Sequence, residues 1–323
     1  MTQLMEEPTE DALLALLGDA DPAARQLALM QLEDVVTQES VGPLLGVLQD
    51  ADAAVRRLAI GLLEEIGDAA AVPGIIACLR DGDAEVQATA ASALREFRDA
   101  DSATAMLAAI ADPSPAVRGG VILGLREQKD PRALLPLIRA LEDPVAEVRR
   151  EAVISLAYLR LADSVDPLRK RLRDADADVR RLAVGALDYW NGPTLLGDFC
   201  AALSDSDWRV RAESAIVLGR SALSAAIPAL RSALADPYWQ VKKEAVAALG
   251  RLSASAALPE LISFLSDEMP ELRRAAAYAL GELEAESAVA PLRALGTDPD
   301  VEVRKASARA LEAIGQARSP VKE

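Results

Sequence analysis

The sequence predicts an all-α fold, a right-handed α-solenoid of about ten helix pairs. Three observations predict it: aspartate recurs every 31 residues, leucine recurs at the same interval, and each 31-residue unit carries two apolar faces at helical spacing. The aspartate series is unbroken: Asp19, Asp50, Asp81, Asp112, Asp143, Asp174, Asp205, Asp236, Asp267 and Asp298. Ten such units leave no room for a second domain. We therefore expect one solenoid over residues 1–316 and a short tail over residues 317–323.

The two helices of a unit are clearest between Ser40 and Asp68. The first apolar face consists of Val41, Leu44, Leu45 and Leu48, and the second consists of Val55, Ala59, Leu62, Leu63 and Ile66. An Asp-rich turn separates the two faces. This pattern predicts a helix, a turn and a second helix in every repeat.

The start of the second helix has its own signal, because one turn position usually carries a residue that can accept backbone N–H groups. The residues at this position include Asp21, Asp52, Asp83, Ser114, Asp176, Asp207 and Asp300. Proline follows directly at Pro22 and Pro115, and this first helical position tolerates a missing N–H group. Further along the second helix, alanine recurs at Ala28, Ala59, Ala90, Ala152, Ala183, Ala245 and Ala276. We expect these small residues to let neighbouring helices approach closely.

An arginine follows a valine-like core position early in the second helix. The series is Arg25, Arg56, Arg118, Arg149, Arg180, Arg211, Arg273 and Arg304, with Gln87 and Lys242 as exceptions. The combination of turn Asp, Val-Arg and Ala-x-x-Leu resembles the HEAT repeat family, specifically the short HEAT-like repeat named after phycobilisome (PBS) lyases. The resemblance covers essentially the whole chain. It implies that Asp and Arg link adjacent repeats through charge-assisted hydrogen bonds, and we prefer this interpretation to one in which the arginines bind phosphate.

Composition excludes several kinds of site. The chain has no histidine, which removes the usual proton-transfer group near neutral pH and a principal metal ligand. Its two cysteines, Cys78 and Cys200, form no CxxC pair. We therefore expect no catalytic residues and no metal site. No leader peptide or membrane-spanning segment is evident in the sequence, so we expect a cytoplasmic protein without a membrane partner.

The net charge of −16 opposes nucleic-acid binding, which needs basic residues to neutralise phosphate. The charge is unevenly distributed, because residues 1–70 contain 14 acidic side chains and three arginines. This acidic end has two interpretations. It attracts a basic partner, or it is the solvated cap that a terminal repeat needs for solubility.

A discontinuous basic row follows the arginine series by one residue. Its members are Arg57, Arg150, Arg181, Lys243, Arg274 and Lys305. Arg150 and Arg181 are the strongest candidates to engage carboxylates of a partner or cofactor, because they lie in the most basic stretch of the chain. The alternative is that the row is solvated and pairs with nearby acids such as Glu151 and Glu244.

Aromatic residues replace the usual turn residues in the seventh and eighth repeats. Trp208 and Trp239 lie one period apart where other repeats carry alanine or proline, with Tyr238 beside them and Arg209 in place of the usual acid. We expect these positions to be exposed and to form an aromatic ridge that anchors a partner. The alternative is that each ring folds back onto the next turn as a local cap.

Three tyrosines form a second candidate group. Tyr158 and Tyr189 share one position near the end of the second helix, and Tyr278 lies on a later repeat. They are candidates to line a pocket for a flat cofactor, and the alternative is partial burial with the hydroxyl in water.

These observations favour a noncatalytic scaffold or an assembly and maturation factor that binds a partner protein along the solenoid and needs no cofactor. The resemblance implies one alternative, a phycobilin lyase-like subunit that handles a linear tetrapyrrole on a phycobiliprotein. Enzymatic activity is therefore implied only by the family resemblance and not by any residue pattern in this sequence. Capture of a protein partner distinguishes the scaffold from the lyase, which would bind a coloured bilin.

Overall fold

The computed structural model describes residues 9–317, and this part of the chain contains helices and turns but no strand. The chain divides into two compact units, Met1–Ser164 and Val165–Glu323. The predicted tail, residues 317–323, lies outside the described residues apart from the backbone of residue 317. No helix within residues 9–317 has both the length and the apolar character needed to cross a bilayer. The all-α repeat fold predicted from the 31-residue period is confirmed.

The first unit contains five helix pairs. Its helices are α1 Glu10–Leu16, α2 Pro22–Leu32, α3 Val41–Val47, α4 Ala53–Ile66, α5 Val72–Cys78, α6 Ala84–Ala93, α7 Ala100–Ala109, α8 Pro115–Gln128, α9 Leu134–Ala140 and α10 Ala146–Leu159. Short 3₁₀ turns lie at Gln38–Ser40, Ala69–Ala71, Pro131–Ala133 and Ala162–Ser164. Odd-numbered helices are the first of each pair, and most are about half as long as the even-numbered ones.

The second unit repeats this plan. Its helices are α11 Val165–Arg171, α12 Ala177–Leu187, α13 Leu196–Ala202, α14 Trp208–Arg220, α15 Ile227–Ala233, α16 Trp239–Arg251, α17 Leu258–Ser263, α18 Pro270–Glu282, α19 Val289–Ala294 and α20 Val301–Ala317. The 3₁₀ turns are Asp188–Trp190, Ser224–Ala226, Ser255–Ala257, Phe264–Ser266, Glu286–Ala288 and Leu295–Thr297. Each even-numbered helix packs against its odd-numbered partner and against the next even-numbered helix of its unit.

The predicted starts of the even-numbered helices are largely confirmed. Asp52 accepts a hydrogen bond from the Val55 N–H at 3.0 Å, and Asp83 accepts from two N–H groups of α6. Pro22 and Pro115 are the first residues of α2 and α8. Ser114 is an exception, because its side chain makes no capping hydrogen bond although it occupies the cap position. Proline at the first helical position does not account for this, because Asp21 accepts the Ala23 N–H at 2.9 Å although Pro22 follows it.

The core of each unit is aliphatic, as the composition predicts. The recurring leucines Leu32, Leu63, Leu94, Leu125 and Leu156 are buried in the first unit, and Leu187, Leu218, Leu249 and Leu280 are buried in the second. The recurring alanines are buried as well, including Ala59 and Ala245. Even-numbered helices therefore meet through small side chains, which places them close together and leaves their solvent-facing residues in continuous rows.

The link after the even-numbered helix is also repetitive. Gly67 ends α4 with a φ of 69°, and five non-glycine residues with positive φ lie at the same repeat position: Lys129, Arg160, Ala222, Ser253 and Glu284. Asn191 differs, with a φ of −60° after the Asp188–Trp190 turn. Its side-chain amide instead donates to the Val217 carbonyl at 2.7 Å. The connection between the sixth and seventh repeats therefore has a different local backbone conformation.

Candidate interaction surfaces

The charged residues that recur with the repeat are engaged inside each unit. Arg118 donates from Nε and Nη2 to the two carboxylate oxygens of Asp143, at 2.6 and 2.9 Å, and from Nη1 to the Asp112 carbonyl at 2.8 Å. Related pairs join Arg25 to Asp50, Arg56 to Asp81, Arg180 to Asp205, Arg211 to Asp236 and Arg273 to Asp298. The predicted link between adjacent repeats is confirmed within both units. Because most of their donors bind protein acceptors, these arginines are poorly suited to holding phosphate.

Each aspartate of the ladder also closes its own turn. Asp81 accepts the Asp83 N–H at 2.8 Å, and Asp298 accepts the Asp300 N–H at 2.9 Å. The hydrogen bond from the Arg56 guanidinium, together with this backbone bond, lowers the pKa of Asp81 despite partial burial. The hydrogen bond from Arg273 lowers the pKa of Asp298 in the same way. The ladder carboxylates are therefore structural groups that stay ionised.

Gln87 shows how the structure accommodates a missing ladder arginine. Its side-chain amide donates to the Asp81 carbonyl at 2.6 Å, which reproduces one of the bonds that arginine makes elsewhere. Asp112, the aspartate of the next repeat, forms an ion pair with Arg80 instead. The link between these repeats is therefore kept by a residue outside the arginine series.

The aromatic residues of the seventh and eighth repeats lie at the starts of α14 and α16. The Trp208 ring stacks on the Tyr238 ring, with centroids 5.9 Å apart and planes 13° apart. Both Trp208 and Trp239 are half-buried, so the expectation that these positions are exposed is wrong for the tryptophans, whereas Tyr238 is 46% exposed. Trp208 folds onto the next turn, which was the alternative to a ridge of two tryptophans. We call the stacked pair Trp208 and Tyr238 the aromatic platform.

Cations lie near the aromatic platform and near Trp239. The Arg211 guanidinium lies 5.5 Å from the centroid of the Tyr238 ring, and Lys243 lies 6.0 Å from the centroid of Trp239. Arg209 pairs with Asp178 at 3.0 Å and with Asp207 at 2.9 Å. Arg209 therefore ties α14 to α12, and Tyr238 is the more accessible ring of the platform.

The three candidate tyrosines are all exposed: Tyr158 by 46%, Tyr189 by 61% and Tyr278 by 40%. Arg126 lies 5.8 Å from the Tyr158 ring centroid, and Trp190 meets the Tyr189 ring edge-on at 5.1 Å. The rings of Tyr158 and Tyr189 therefore each have a local neighbour in their own unit.

A cavity of about 390 Å³ lies between α16 and α18, and Tyr278 is among its lining residues. Charged side chains also line it: Lys243, Glu244, Arg251, Glu271, Arg274 and Glu282. Tyr189 is not among the lining residues. The cavity is therefore mainly ionic in character, which does not match the aromatic lining expected for a flat cofactor.

The basic row is largely engaged by acids within its own unit. Arg150 contacts Glu147 at 2.5 Å, and Arg181 lies 3.6 Å from Asp178. Further pairs are Arg57 with Glu85, Lys243 with Glu244, and Lys305 with Glu302. Glu151, one of the two acids named from the sequence, binds Arg126 rather than Arg150. These pairs favour the interpretation of a solvated, internally neutralised row.

One surface was not identified from the sequence. A cavity of about 620 Å³ lies on the first unit, between α2, α4 and α6. Leu29, Met30, Leu58 and Leu62 provide its apolar lining. The acids that line it occupy α2 and α4, and Arg57 contributes a cation. We call this surface the N-terminal groove. Met30 gave no sequence signal for it, because the same repeat position carries Leu123, Ile154 and Ile216 elsewhere in the chain.

The matches to one known family model fall on either side of the boundary between the two units. The family model described as HEAT repeats matches residues 10–95, 72–157, 165–250 and 227–312, and the model described as PBS lyase HEAT-like repeat matches residues 148–174. A search of curated proteins gives no match to this chain. The resemblance inferred from the Asp, Val-Arg and Ala-x-x-Leu pattern is confirmed.

Three solved structures share the fold. An engineered protein is 21% identical, with a TM-score of 0.55, over 95% of this chain and 98% of its own. Kap95p in a structure with RanGDP is 13% identical, with a TM-score of 0.64, over 96% of this chain and 50% of its own. The Kap95:Nup1 complex gives 13% identity and a TM-score of 0.67, over 96% and 51%. This chain thus spans about half the length of Kap95, and the likeness concerns the fold alone.

Proposed function

Because the chain belongs to the HEAT-repeat family, we propose that it is a noncatalytic scaffold or assembly factor that binds a partner protein along its helical repeats. The aromatic platform is the observation that carries this proposal. Most other repeats carry alanine or proline at the position of Trp208 and aspartate at the position of Tyr238, so the repeat itself does not require the rings. Partly exposed Trp and Tyr with nearby Arg are typical anchors of protein interfaces.

Two further observations support this function. Kap95p, which has the same fold, is seen in structures with RanGDP and with Nup1. Both cysteines of this chain are free thiols, the form that a reducing compartment maintains, so a cytoplasmic location is part of the proposal. The remaining candidates, Trp239, Arg209, Tyr158, Tyr189, Tyr278, Arg150 and Arg181, are secondary contacts in this proposal.

Partner capture tests the scaffold proposal. The unaltered protein, the Trp208→Ala/Tyr238→Ala variant and a Leu135→Ala control are used as baits in native cell extract, and captured proteins are identified by mass spectrometry. Leu135 is 64% exposed on α9, so its replacement removes an exposed apolar side chain away from the platform. The identified partner is then purified and titrated against each bait. Loss of two anchoring rings should weaken binding about 30-fold or more, whereas the control should bind like the unaltered protein.

Circular dichroism shows whether each bait is folded. If the platform variant keeps full helicity and binds the purified partner as tightly as the unaltered protein, the platform is not the anchor. If no bait captures any protein above background, the scaffold proposal itself is wrong.

A second candidate function rests on the match of residues 148–174 to the PBS lyase HEAT-like repeat. This segment includes the exposed ring of Tyr158 and the Arg126 guanidinium lies over that ring. A lyase-like protein would bind a linear tetrapyrrole. Titration with a purified bilin tests it, and a shift of the visible absorbance that Tyr158→Ala removes would favour this function over the scaffold.

A further inference from the structure

We propose that the N-terminal groove binds a basic amphipathic segment of a partner protein, with a bulky apolar side chain in the groove and Lys or Arg at its acidic end. This inference rests on the scaffold proposal, because it names the kind of partner that the first unit accepts. It concerns a surface in a different unit from the aromatic platform.

The floor of the groove suits an apolar side chain. Leu29 and Leu62 are buried at 1% and 5% exposure, and Leu58 is half-buried. Met30 is 54% exposed and its flexible thioether can adjust to the shape of an incoming group. An opening of about 620 Å³ above this floor is large enough for one or two bulky side chains.

The acidic end of the groove carries two glutamates, and no basic side chain of the described residues neutralises them. Glu33 caps the C-terminus of α2, and Glu65 lies in the last turn of α4. Both residues therefore lie at the negative ends of helix dipoles, where a cation would be favoured. No ion pair among the described residues includes either acid. Arg57, the cation that lines the groove, is already paired with Glu85.

Comparison among repeats shows that packing does not require these acids. The outward position of Glu65 carries Asp34, Glu96 and Glu127 in the other early repeats, but Arg220 and Arg251 in two repeats of the second unit. In both units, each even-numbered helix packs against the next even-numbered helix. The charge at this position is therefore free to vary. It is negative in each of the first four repeats, whereas the fifth repeat has Tyr158 and the ninth has Glu282.

The surroundings reinforce this field. Burial raises the pKa of Glu64, which is adjacent to Glu65 in sequence, and the nearby carboxylate of Glu96 raises it further. Residues 1–70 carry 14 acids against three arginines. A segment with several Lys or Arg side chains relieves this like-charge repulsion and is attracted over a distance of about one Debye length. Charge complementarity therefore selects a cationic partner over a neutral or acidic one.

A designed peptide tests the inference directly. The probe is a fluorescein-labelled peptide of about 18 residues, composed of Leu at i, i+3, i+4 and i+7 spacing with Lys at the other positions. One control peptide carries Glu in place of every Lys, and another carries Ala in place of every Leu. Fluorescence anisotropy with the full chain should show binding of the Leu-Lys peptide, weakening with added salt, and little binding of either control peptide.

Protein variants locate the site. Glu33→Gln/Glu65→Gln should weaken binding about five- to tenfold, as expected for the loss of two exposed charge pairs. Met30→Ser should weaken it by a similar factor with less change in the salt dependence. Glu268→Gln/Glu284→Gln removes the same charge from exposed positions in the second unit and should leave affinity unchanged.

Three results would overturn the inference: equal binding of the Leu-Lys and Leu-Glu peptides, equal loss in both double variants, or no binding of the Leu-Lys peptide. Sedimentation of the unaltered protein checks whether a second copy occupies the groove. A dimer that Met30→Ser dissociates would also overturn it. Because a natural partner can still depend on the aromatic platform in any of these cases, failure here is distinguishable from failure of the scaffold proposal.

Discussion

At the scale of single residues, the ladder aspartate has a stricter role than the ladder arginine. Each aspartate of the series accepts a backbone N–H two residues ahead, for example Asp50 from Asp52 at 2.8 Å. A short carboxylate is needed for this turn within one repeat. The arginine acts between repeats, where Gln87 with help from Arg80 can replace it. This difference explains why the aspartate series has no exception and the arginine series has two.

The ladder pair predicts a specific loss of stability. In Arg118→Met, Asp143 loses two hydrogen bonds and becomes a largely buried, unpaired carboxylate. We expect the free energy of unfolding to fall by about 3 kcal/mol, measured by urea unfolding followed at 222 nm. Arg98→Met is the control, because Arg98 and its partner Glu96 are both more than half exposed and 3.4 Å apart. Equal effects of the two changes would contradict the role assigned to the ladder.

At the scale of helices, glycine and alanine set the distance between the later even-numbered helices. A Cβ added to Gly250 of α16 would lie 2.8 Å from both the Cα and the Cβ of Ala279 in α18. Gly219 stands in the same relation to Ala248. Since a methyl group cannot fit without backbone movement, these contacts fix the helix spacing in the second unit.

This close approach predicts opposite effects of one substitution at two positions. Gly250→Ala should lower the free energy of unfolding by about 1–3 kcal/mol because of overpacking. Gly119→Ala lies within α8 with no atom within 4 Å of the added Cβ, so it should raise stability by up to about 1 kcal/mol through helix propensity. Thermal unfolding of both variants shows whether each substitution raises or lowers stability relative to the unaltered protein. A loss of stability in Gly119→Ala, or a gain in Gly250→Ala, would contradict this account.

At the scale of the whole molecule, the pH dependence of stability follows from which groups titrate. The ladder carboxylates, such as Asp81 and Asp298, have pKa values lowered by hydrogen bonds from arginine. Their contribution is present above the unfolded-state pKa of about 3.9 and is lost as pH falls through the folded-state pKa. Burial raises the pKa of Glu64 and Glu213, whose charged forms therefore cost stability as pH rises. The more numerous ladder groups should dominate in acid.

We therefore expect the free energy of unfolding to be nearly constant between about pH 6.5 and 8 and to fall below about pH 4. The chain lacks histidine, the side chain that ordinarily titrates near pH 6.5. Urea unfolding at a series of pH values measures this profile. Asp81→Asn should be less stable at pH 7 and should lose less on acidification. A steep change between pH 6.5 and 8 would contradict the assignment.

The repeat and its interior were accessible from sequence because local spacing determines them. The 31-residue interval predicted the helix pairs, the caps at Asp52 and Asp83, and the buried Leu156. The aspartate partner of a ladder arginine could also be predicted, because aspartate recurs at the same position in every repeat. These features depend on hydrogen bonds and apolar faces within a repeat or between successive repeats.

Surface neighbours were decided only by the tertiary structure. Trp208 pairs with Tyr238 rather than with Trp239, because stacking depends on ring orientation at two turns and not on an equal place in the repeat. Ser114 occupies a cap position but does not cap α8. The N-terminal groove joins side chains of three helices whose outward residues break no rule of the repeat. The sequence by itself therefore determined the fold and its internal links, whereas side-chain packing in three dimensions decided which surface residues act together.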